Sequence, residues 1–415
     1  MLQDFELEQL TEPLLAWFAG HARVLPWRTE PTPYRVWVSE IMLQQTRVEA
    51  VKPYFERFTM ALPDVAALSE CPEDELLKLW EGLGYYNRVR NMQKAAVTVM
   101  EEYGGELPAD YEKLCGLKGI GSYTAGAIAS IAYGIAVPAV DGNVLRVITR
   151  VTADDTDIMK QSFRSAVEKS LLEMMRELKV SDAVEKALFT HMTGTVVETR
   201  HGSANVPDAQ SVPGQRGVNV PGALNQALME LGATVCVPNG MPLCAECPWR
   251  ELCIAKKTNR IAELPVKSRA KARKIEERTV LILRDGDKVA IRKRPAKGLL
   301  AGLYELPNVE GRLSADEVLV RVKEQGFAPL RIEKLTEAKH IFSHIEWHMT
   351  GYAILVEEAG FADESAAGEE NLLFVDAKDA RERYAIPSAF AAYAEYMNIQ
   401  LGKSGFEEKD RRGIF

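Results

Sequence analysis

The chain has 415 residues, 47% hydrophobic and 27% charged, with a formal net charge of −8 at pH 7. That length suggests two or three domains with sizeable cores, and the composition is that of a globular protein in water. No apolar run reaches the roughly 20 residues of a membrane span. The acidic start MLQDFELEQL lacks a signal-peptide pattern, so a cytoplasmic protein, nucleoid-associated if prokaryotic, is expected. The net negative charge does not exclude nucleic acid, because a local basic face is enough at cellular salt.

Residues 1–255 read as mainly α-helical. PYRVWVSEIMLQQTRVEAVKPYFERF, EDELLKLWEGLG, NMQKAAVTVMEEYG and TAGAIASIAYG all carry apolar residues at helical spacing, with Gly and Pro between them. LCGLKGIGSYTAGAIASIAYG predicts two helices joined by the short turn Leu117-Lys118-Gly119-Ile120-Gly121. Its glycines let backbone N–H groups approach a ligand, and the following helix offers the positive end of its dipole. Such a hairpin suits a DNA phosphate. Twenty residues after Gly121, VDGNVLRV begins another helix, with Asp141 placed to cap it. Residues 193–222, rich in Gly, Pro, Ser and Asn, read as a long flexible loop.

Four of the six cysteines fall in CVPNGMPLCAECPWRELC, with spacing C-x7-C-x2-C-x5-C: Cys236, Cys244, Cys247 and Cys253. In a cytoplasmic chain such clustering indicates a metal or iron–sulfur site rather than disulfides. Four thiolates suit zinc or a [4Fe–4S] cluster, and spacing alone tilts slightly to zinc. Cys71 and Cys115 lie within helical patterns and read as small apolar residues.

Residues 256–278 form a linker with nine Lys or Arg against three Glu, a solvated connector or a DNA-contacting strap. From 279 the pattern changes. RTVLILRDGDKVAIRKRP alternates around Asp285-Gly286 and predicts a β-hairpin. SADEVLVRVKEQG then reads as a helix and HMTGYAILVEE as a strand, which makes residues 279–399 a separate α+β domain followed by a 400–415 tail.

LKGIGSYTAGAIASIAYGIAVPAVDGNVLRV resembles the helix-hairpin-helix, Gly/Pro loop and Asp of the base-excision DNA glycosylase superfamily. With LPWR (25–28), SEIMLQQTRV (39–48), EGLGYYNRVRN (81–91), the cysteines and FSH (342–344), most of the chain resembles the adenine DNA glycosylase (MutY) family. The resemblance implies a helical glycosylase region over 1–255 whose iron–sulfur loop, 236–253, holds a [4Fe–4S] cluster, replacing the tilt to zinc. It implies a Nudix-like α+β domain that recognises 8-oxoguanine, and excision of adenine from A:8-oxoguanine or A:G mispairs in double-stranded DNA by a monomer. It also implies roles. Glu40 and Asp141 would be catalytic, oriented by Tyr123 and Asn143. Arg23, Leu25, Trp27, Arg28, Val48 and Gln226 would form the adenine pocket. Gln45, Thr46 and Tyr85, with Leu117, Lys118, Gly119 and Gly121, would bind and intercalate DNA. Phe342, Ser343 and His344 would read 8-oxoguanine. The family's first cysteine spacing is x6, against x7 here.

The residues themselves suit the chemistry. Adenine leaves readily only when protonated, and the sugar then carries positive charge, so the reaction wants two carboxyls of different acidity. Glu40, among VWVSEIML, would be held protonated by apolar neighbours. Asp141, at a helix start, would be kept ionised by the dipole and N–H groups. The related endonuclease III type has a lysine where this chain has Tyr123, so a Schiff base and strand cleavage are not expected. The Nudix hydrolase motif REUxEExGU, U being aliphatic, aligns with LVRVKEQGF (319–327), where Val320 and Lys323 occupy glutamate positions and only Glu324 remains. Pyrophosphatase chemistry is therefore not expected. The rival readings are a bifunctional endonuclease III-like lyase on damaged pyrimidines and a non-catalytic DNA-binding protein.

Overall fold

The computed structural model describes residues 5–193, 218–268, 272–357 and 372–397. Most of the 193–222 loop and the whole 400–415 tail lie outside these residues. Contacts divide the chain into two units: Met1–Glu70 with Asn91–Arg269, and Cys71–Arg90 with Ala270–Phe415. Among the described residues no helix is long and apolar enough to cross a membrane.

The first unit is helical. The long segment expected to be helical from Pro33 onward is two helices, Pro33–Leu43 and Val48–Ala61, broken where Gln45 takes a φ of +61°. The hairpin forms as expected: Tyr111–Gly116, the turn, then Ser122–Ala127 continuing through a π turn at Ile128–Ala132. Gly142–Thr152 follows, capped by Asp141, whose Oδ1 accepts from the Val144 N–H at 2.8 Å. The last long helix, Val220–Thr234, starts inside the stretch read as loop, because Asn219 caps it through the Gly222 N–H. Leu14, Leu15, Val144, Val147, Ile148, Val151, Leu224, Leu228 and Leu231 form the core where these helices meet, with Trp249 buried among them.

Two glycines set how closely the helices approach. A Cβ on Gly126 would lie 2.2 Å from the Pro138 carbonyl oxygen, and one on Gly232 would lie 2.6 Å from Asn143 Cβ. Only glycine lets the hairpin helix close on the Pro138 backbone and the Val220–Thr234 helix close on Asn143 beside Asp141. The approach to Asp141 is also fixed by polar contacts. Fully buried Asn225 accepts from the Ala139 N–H at 3.0 Å and donates to the Val137 carbonyl at 2.9 Å and to Ser130 Oγ at 2.8 Å. Arg164 donates to the Val140 carbonyl.

The second unit is a mixed sheet of eight strands among the described residues. They are β1 (Lys274–Asp285), β2 (Lys288–Lys293), β3 (Tyr304–Glu305), β4 (Asn308–Glu310), β5 (Pro329–Lys334), β6 (Ala338–Ile341), β7 (Ile345–Val356) and β8 (Leu372–Val375). The central order is β3-β2-β1-β7-β5, with β1 and β7 parallel and the other pairs antiparallel. The expected hairpin is β1–β2, turning at Gly286 with φ +54°. Lys274–Arg278, read as the end of a linker, already belong to β1. Alternation along β1 sends Val280 and Ile282 to one core with Phe390 and Tyr393. It sends Leu281 and Leu283 to another beneath the helix Ala315–Glu324. That helix, expected from SADEVLVRVKEQG, is capped by Ser314, with Glu317 completing a capping box.

Replacing Asn225 with Ala should destabilise the helical unit by about 1–3 kcal/mol, because buried partners of a lost hydrogen bond stay unsatisfied. Urea denaturation followed by helical circular dichroism measures this, and an unchanged midpoint would show that Asn225 does not hold the Asp141 approach.

Candidate active site

Pro33–Leu43 turns its apolar residues inward, and Glu40 goes with them: Val36, Trp37, Val38, Ile41 and Met42 are buried, and Glu40 is 5% exposed. A carboxyl so placed resists ionisation. Burial pushes Glu40 up to about 7, Asp141 adding to the rise while the Tyr123 hydroxyl and Arg28 oppose it. Tyr123, on the hairpin's second helix, donates a short hydrogen bond to Glu40 Oε2, and Met229 Sδ lies 3.2 Å from the same hydroxyl.

Asp141 combines its cap with a second bond. Its other oxygen accepts from Asn143 Nδ2 at 2.7 Å, and Asn143 Oδ1 accepts from Arg146 Nη2 at 2.8 Å. The Val144 and Asn143 donors favour the charged form, as expected of an aspartate at a helix start, but burial opposes them. Burial is the larger effect, and the carboxyl sits above its ordinary range.

The pocket residues divide. Arg23 and Arg28 both bind Glu230, a buried residue that the sequence reading missed. Arg23 Nε lies 2.6 Å from Oε1, and Arg28 Nη2 lies 2.9 Å from Oε2. The available signal was a Glu four residues after Gln226 in the otherwise apolar ALMELG, hence on the same helix face. The two arginines hold Glu230 below the usual carboxylate range against its burial. Leu25 and Trp27 are buried, Trp27 edge-on to Phe55 at 5.4 Å, while Val48 and Gln226 are partly exposed. The structure thus gathers Glu40, Tyr123, Asp141, Asn143, Arg23 and Arg28 into one electrostatically coupled group.

In the hairpin turn Leu117 is buried while Lys118, Gly119 and Gly121 are exposed. Gln45 is exposed and Thr46 partly so, in the break after Leu43. Tyr85, 49% exposed with φ +49°, and residues 342–344 belong to the second unit. There Phe342 packs edge-on to Trp347 at 4.9 Å, leaving Ser343 and His344 exposed in the turn from β6 to β7.

Cys236, Cys244, Cys247 and Cys253 line one cavity with Arg150, Arg250 and Lys256. The loop between Cys236 and Cys244 closes on itself, with the Leu243 N–H donating to the Val235 carbonyl at 3.0 Å. Arg150 Nη1 lies 3.3 Å from Cys236 Sγ. Burial pushes the Cys247 thiol up to about 12 and raises Cys244 and Cys253. Among the described residues no three His, Cys, Asp or Glu side chains converge as a single-ion site.

Removing the Glu230 carboxylate by substitution with Ala leaves two arginines facing each other. Unfolding stability should fall by about 3 kcal/mol. A thermal or urea melt at pH 7 checks it, and a loss below about 0.5 kcal/mol, the scale of an ordinary surface change, would mark the cluster as incidental.

Residues 38–173 match the HhH-GPD superfamily of base excision DNA repair proteins, and residues 278–396 match the NUDIX domain. The chain is 31% identical to the adenine DNA glycosylase of Mus musculus, over 92% of this chain and 77% of that one. It is 32% identical to the Homo sapiens adenine DNA glycosylase, over 83% and 66%. Among solved structures it is similar to a thermostable thymine-DNA glycosylase, with a TM-score of 0.45 and 22% identity over 60% of this chain and 96% of that one.

Proposed function

The chain belongs to the adenine DNA glycosylase family, a premise from which we propose that it excises adenine opposite 8-oxoguanine or guanine in duplex DNA. It is a DNA N-glycosylase of base excision repair. The observation that carries the adenine reading is a carboxyl raised to about 7, held by Tyr123 and electrostatically coupled to an N-capped aspartate. Glu40 keeps a proton near neutral pH and delivers it to a ring nitrogen of the flipped base, which turns adenine into a good leaving group. Tyr123 fixes the Glu40 carboxyl in place.

As the N-glycosidic bond lengthens, the sugar becomes cationic. Asp141 has donors on both oxygens, from Val144 N–H and Asn143 Nδ2, and these favour its charged form. It stabilises the cation as an electrostatic partner or transient nucleophile, and water completes the hydrolysis. Tyr123 carries no amine, so no Schiff base forms and the strand is left uncut. Arg23, Arg28, Val48 and Gln226 hold the base, with Leu25 and Trp27 behind them. Gln45 and Tyr85 fill the space that it leaves. Ser343 and neighbouring backbone groups distinguish 8-oxoguanine, whose N7 carries a proton, from guanine. The exposed turn supports this reading.

The four cysteines would hold a [4Fe–4S] cluster. A cavity ringed by thiols suits a polynuclear cluster better than zinc, whose ligands must all lie about 2.3 Å from one point. Arg150 and Lys256 would offset the charge of the thiolates. When bound, the cluster supplies four metal–thiolate bonds that staple this end of the helical unit.

Single-turnover assays should give alkali-dependent cleavage at adenine, fastest opposite 8-oxoguanine, and none at thymine glycol. Cleavage without alkali would overturn the monofunctional reading. The rate should fall as pH rises through about 7, because Glu40 then loses its proton. Glu40→Gln should slow release by about 10²–10⁴-fold. A flat profile across pH 6–8 would remove Glu40 as the acid. Purified protein should hold close to four irons and four sulfides per chain, and zinc in their place would overturn the cluster.

A further inference from the structure

The segment Cys71–Arg90 lies in the part of the sequence that reads as the helical region, yet it belongs to the unit that contains the sheet. It is fastened there at four points. Lys78 Nζ donates to the Tyr384 carbonyl at 2.9 Å and to that of Ala380 at 3.4 Å. Lys78 also pairs with Glu81 at 2.6 Å, and Glu81 Oε1 accepts from the Ile386 N–H at 2.8 Å. Arg90 donates to the Ala301 carbonyl at 2.6 Å, and Asp74 pairs with Lys293 at 2.6 Å.

The turn that follows Glu81 is unusual. Gly82, Gly84 and Tyr85 all have positive φ, at +96°, +69° and +49°. A tyrosine in the left-handed region is strained and persists only where its surroundings enforce it. Arg88 enforces part of it. Its Nη2 donates to the Leu83 and Gly84 carbonyls at 3.1 Å, and its guanidinium lies over both the Trp80 and Tyr85 rings, 5.4 and 5.5 Å from their centroids. Trp80 Nε1 closes the turn on the Gly84 carbonyl at 3.1 Å. Glu81 is the residue where this strained turn meets the Tyr384–Ile386 backbone.

We propose that Glu81, with Lys78, is a positioning residue through which the sheet unit sets the place of Tyr85. The inference rests on the reading of Tyr85 as the duplex wedge. The unit that carries the 342–344 turn, which reads the base opposite adenine, would then also hold the side chain that enters the duplex. Lys78 and Glu81 are each only 18% exposed, so the pair is shielded from water and its bonds to backbone groups are charge-assisted.

The first test is hydrogen exchange on the full-length protein, which needs no activity. Glu81→Ala should speed exchange of the 82–87 amides about tenfold, the loss expected for a hydrogen bond to a charged group. Glu81→Gln, which still offers the Ile386 N–H an oxygen, should stay much closer to the parent. Parent rates in the Ala variant, or an equal rise across the whole sheet unit, would overturn the proposal. The second test is a cycle with Tyr85→Ala in single-turnover adenine release opposite 8-oxoguanine. Glu81→Ala should slow release about tenfold when Tyr85 is present and hardly at all when it is absent, as coupled residues do. Equal slowing in both backgrounds would also overturn it. A parent that releases no adenine would instead defeat the adenine reading, and exchange alone would then judge the role of Glu81.

Discussion

A carboxyl group buried in a helix is the constraint on which the candidate site depends. Glu40 points with the apolar face of Pro33–Leu43 and is removed from water. Such a group must be neutral or compensated. The chain answers with the Tyr123 hydroxyl and with Arg28, while Asp141 pushes the other way. The result is an acid balanced near neutrality. Every element that brings Tyr123, Asp141 and Arg28 within reach of Glu40 is therefore part of the acid's tuning.

Those elements are held by contacts of small margin. Gly126 and Gly232 permit approaches that no side chain would allow, and Asn225 satisfies the backbone of the Val137–Ala139 turn. The Gly142–Thr152 helix then runs from the Asp141 cap to Arg150 beside Cys236. Arg146, midway, bonds both Asn143 and the Cys236 carbonyl, at 2.8 Å each. One helix thus has the carboxylate at its N-terminus and the cysteine cavity at its C-terminal end, so the cavity's packing and the carboxylate's setting share a scaffold.

The second unit is built on different physics, a sheet with a core on each face. It has the matched NUDIX fold without that motif's full set of glutamates: Val320 and Lys323 stand in two of their places, Val320 56% exposed. The fold is kept while two of the motif's glutamate places are not. The attachment of Cys71–Arg90 to this unit means that chain order and spatial grouping differ at a place that bears a strained tyrosine.

Much of this was legible in the residues. Helical periodicity, the Gly-rich hairpin turn, the Asp141 cap and the Asp285-Gly286 hairpin are local signals, fixed by side chains within a few residues of the backbone they govern. The motifs around Glu40 and Asp141 were legible too, as was the clustering of four cysteines. Tertiary structure decided the rest. Glu230 is an ordinary glutamate until two arginines some two hundred residues earlier close on it. Asp141's acidity turned on how deeply its cap is buried, a balance of desolvation against N–H donors that no neighbouring residue type reveals. The grouping of residues 71–90 with the sheet also depends on distant partners. The sequence determines which groups are available and how each short stretch folds. Desolvation and long-range pairing, which exist only once the chain has closed, determine what those groups become.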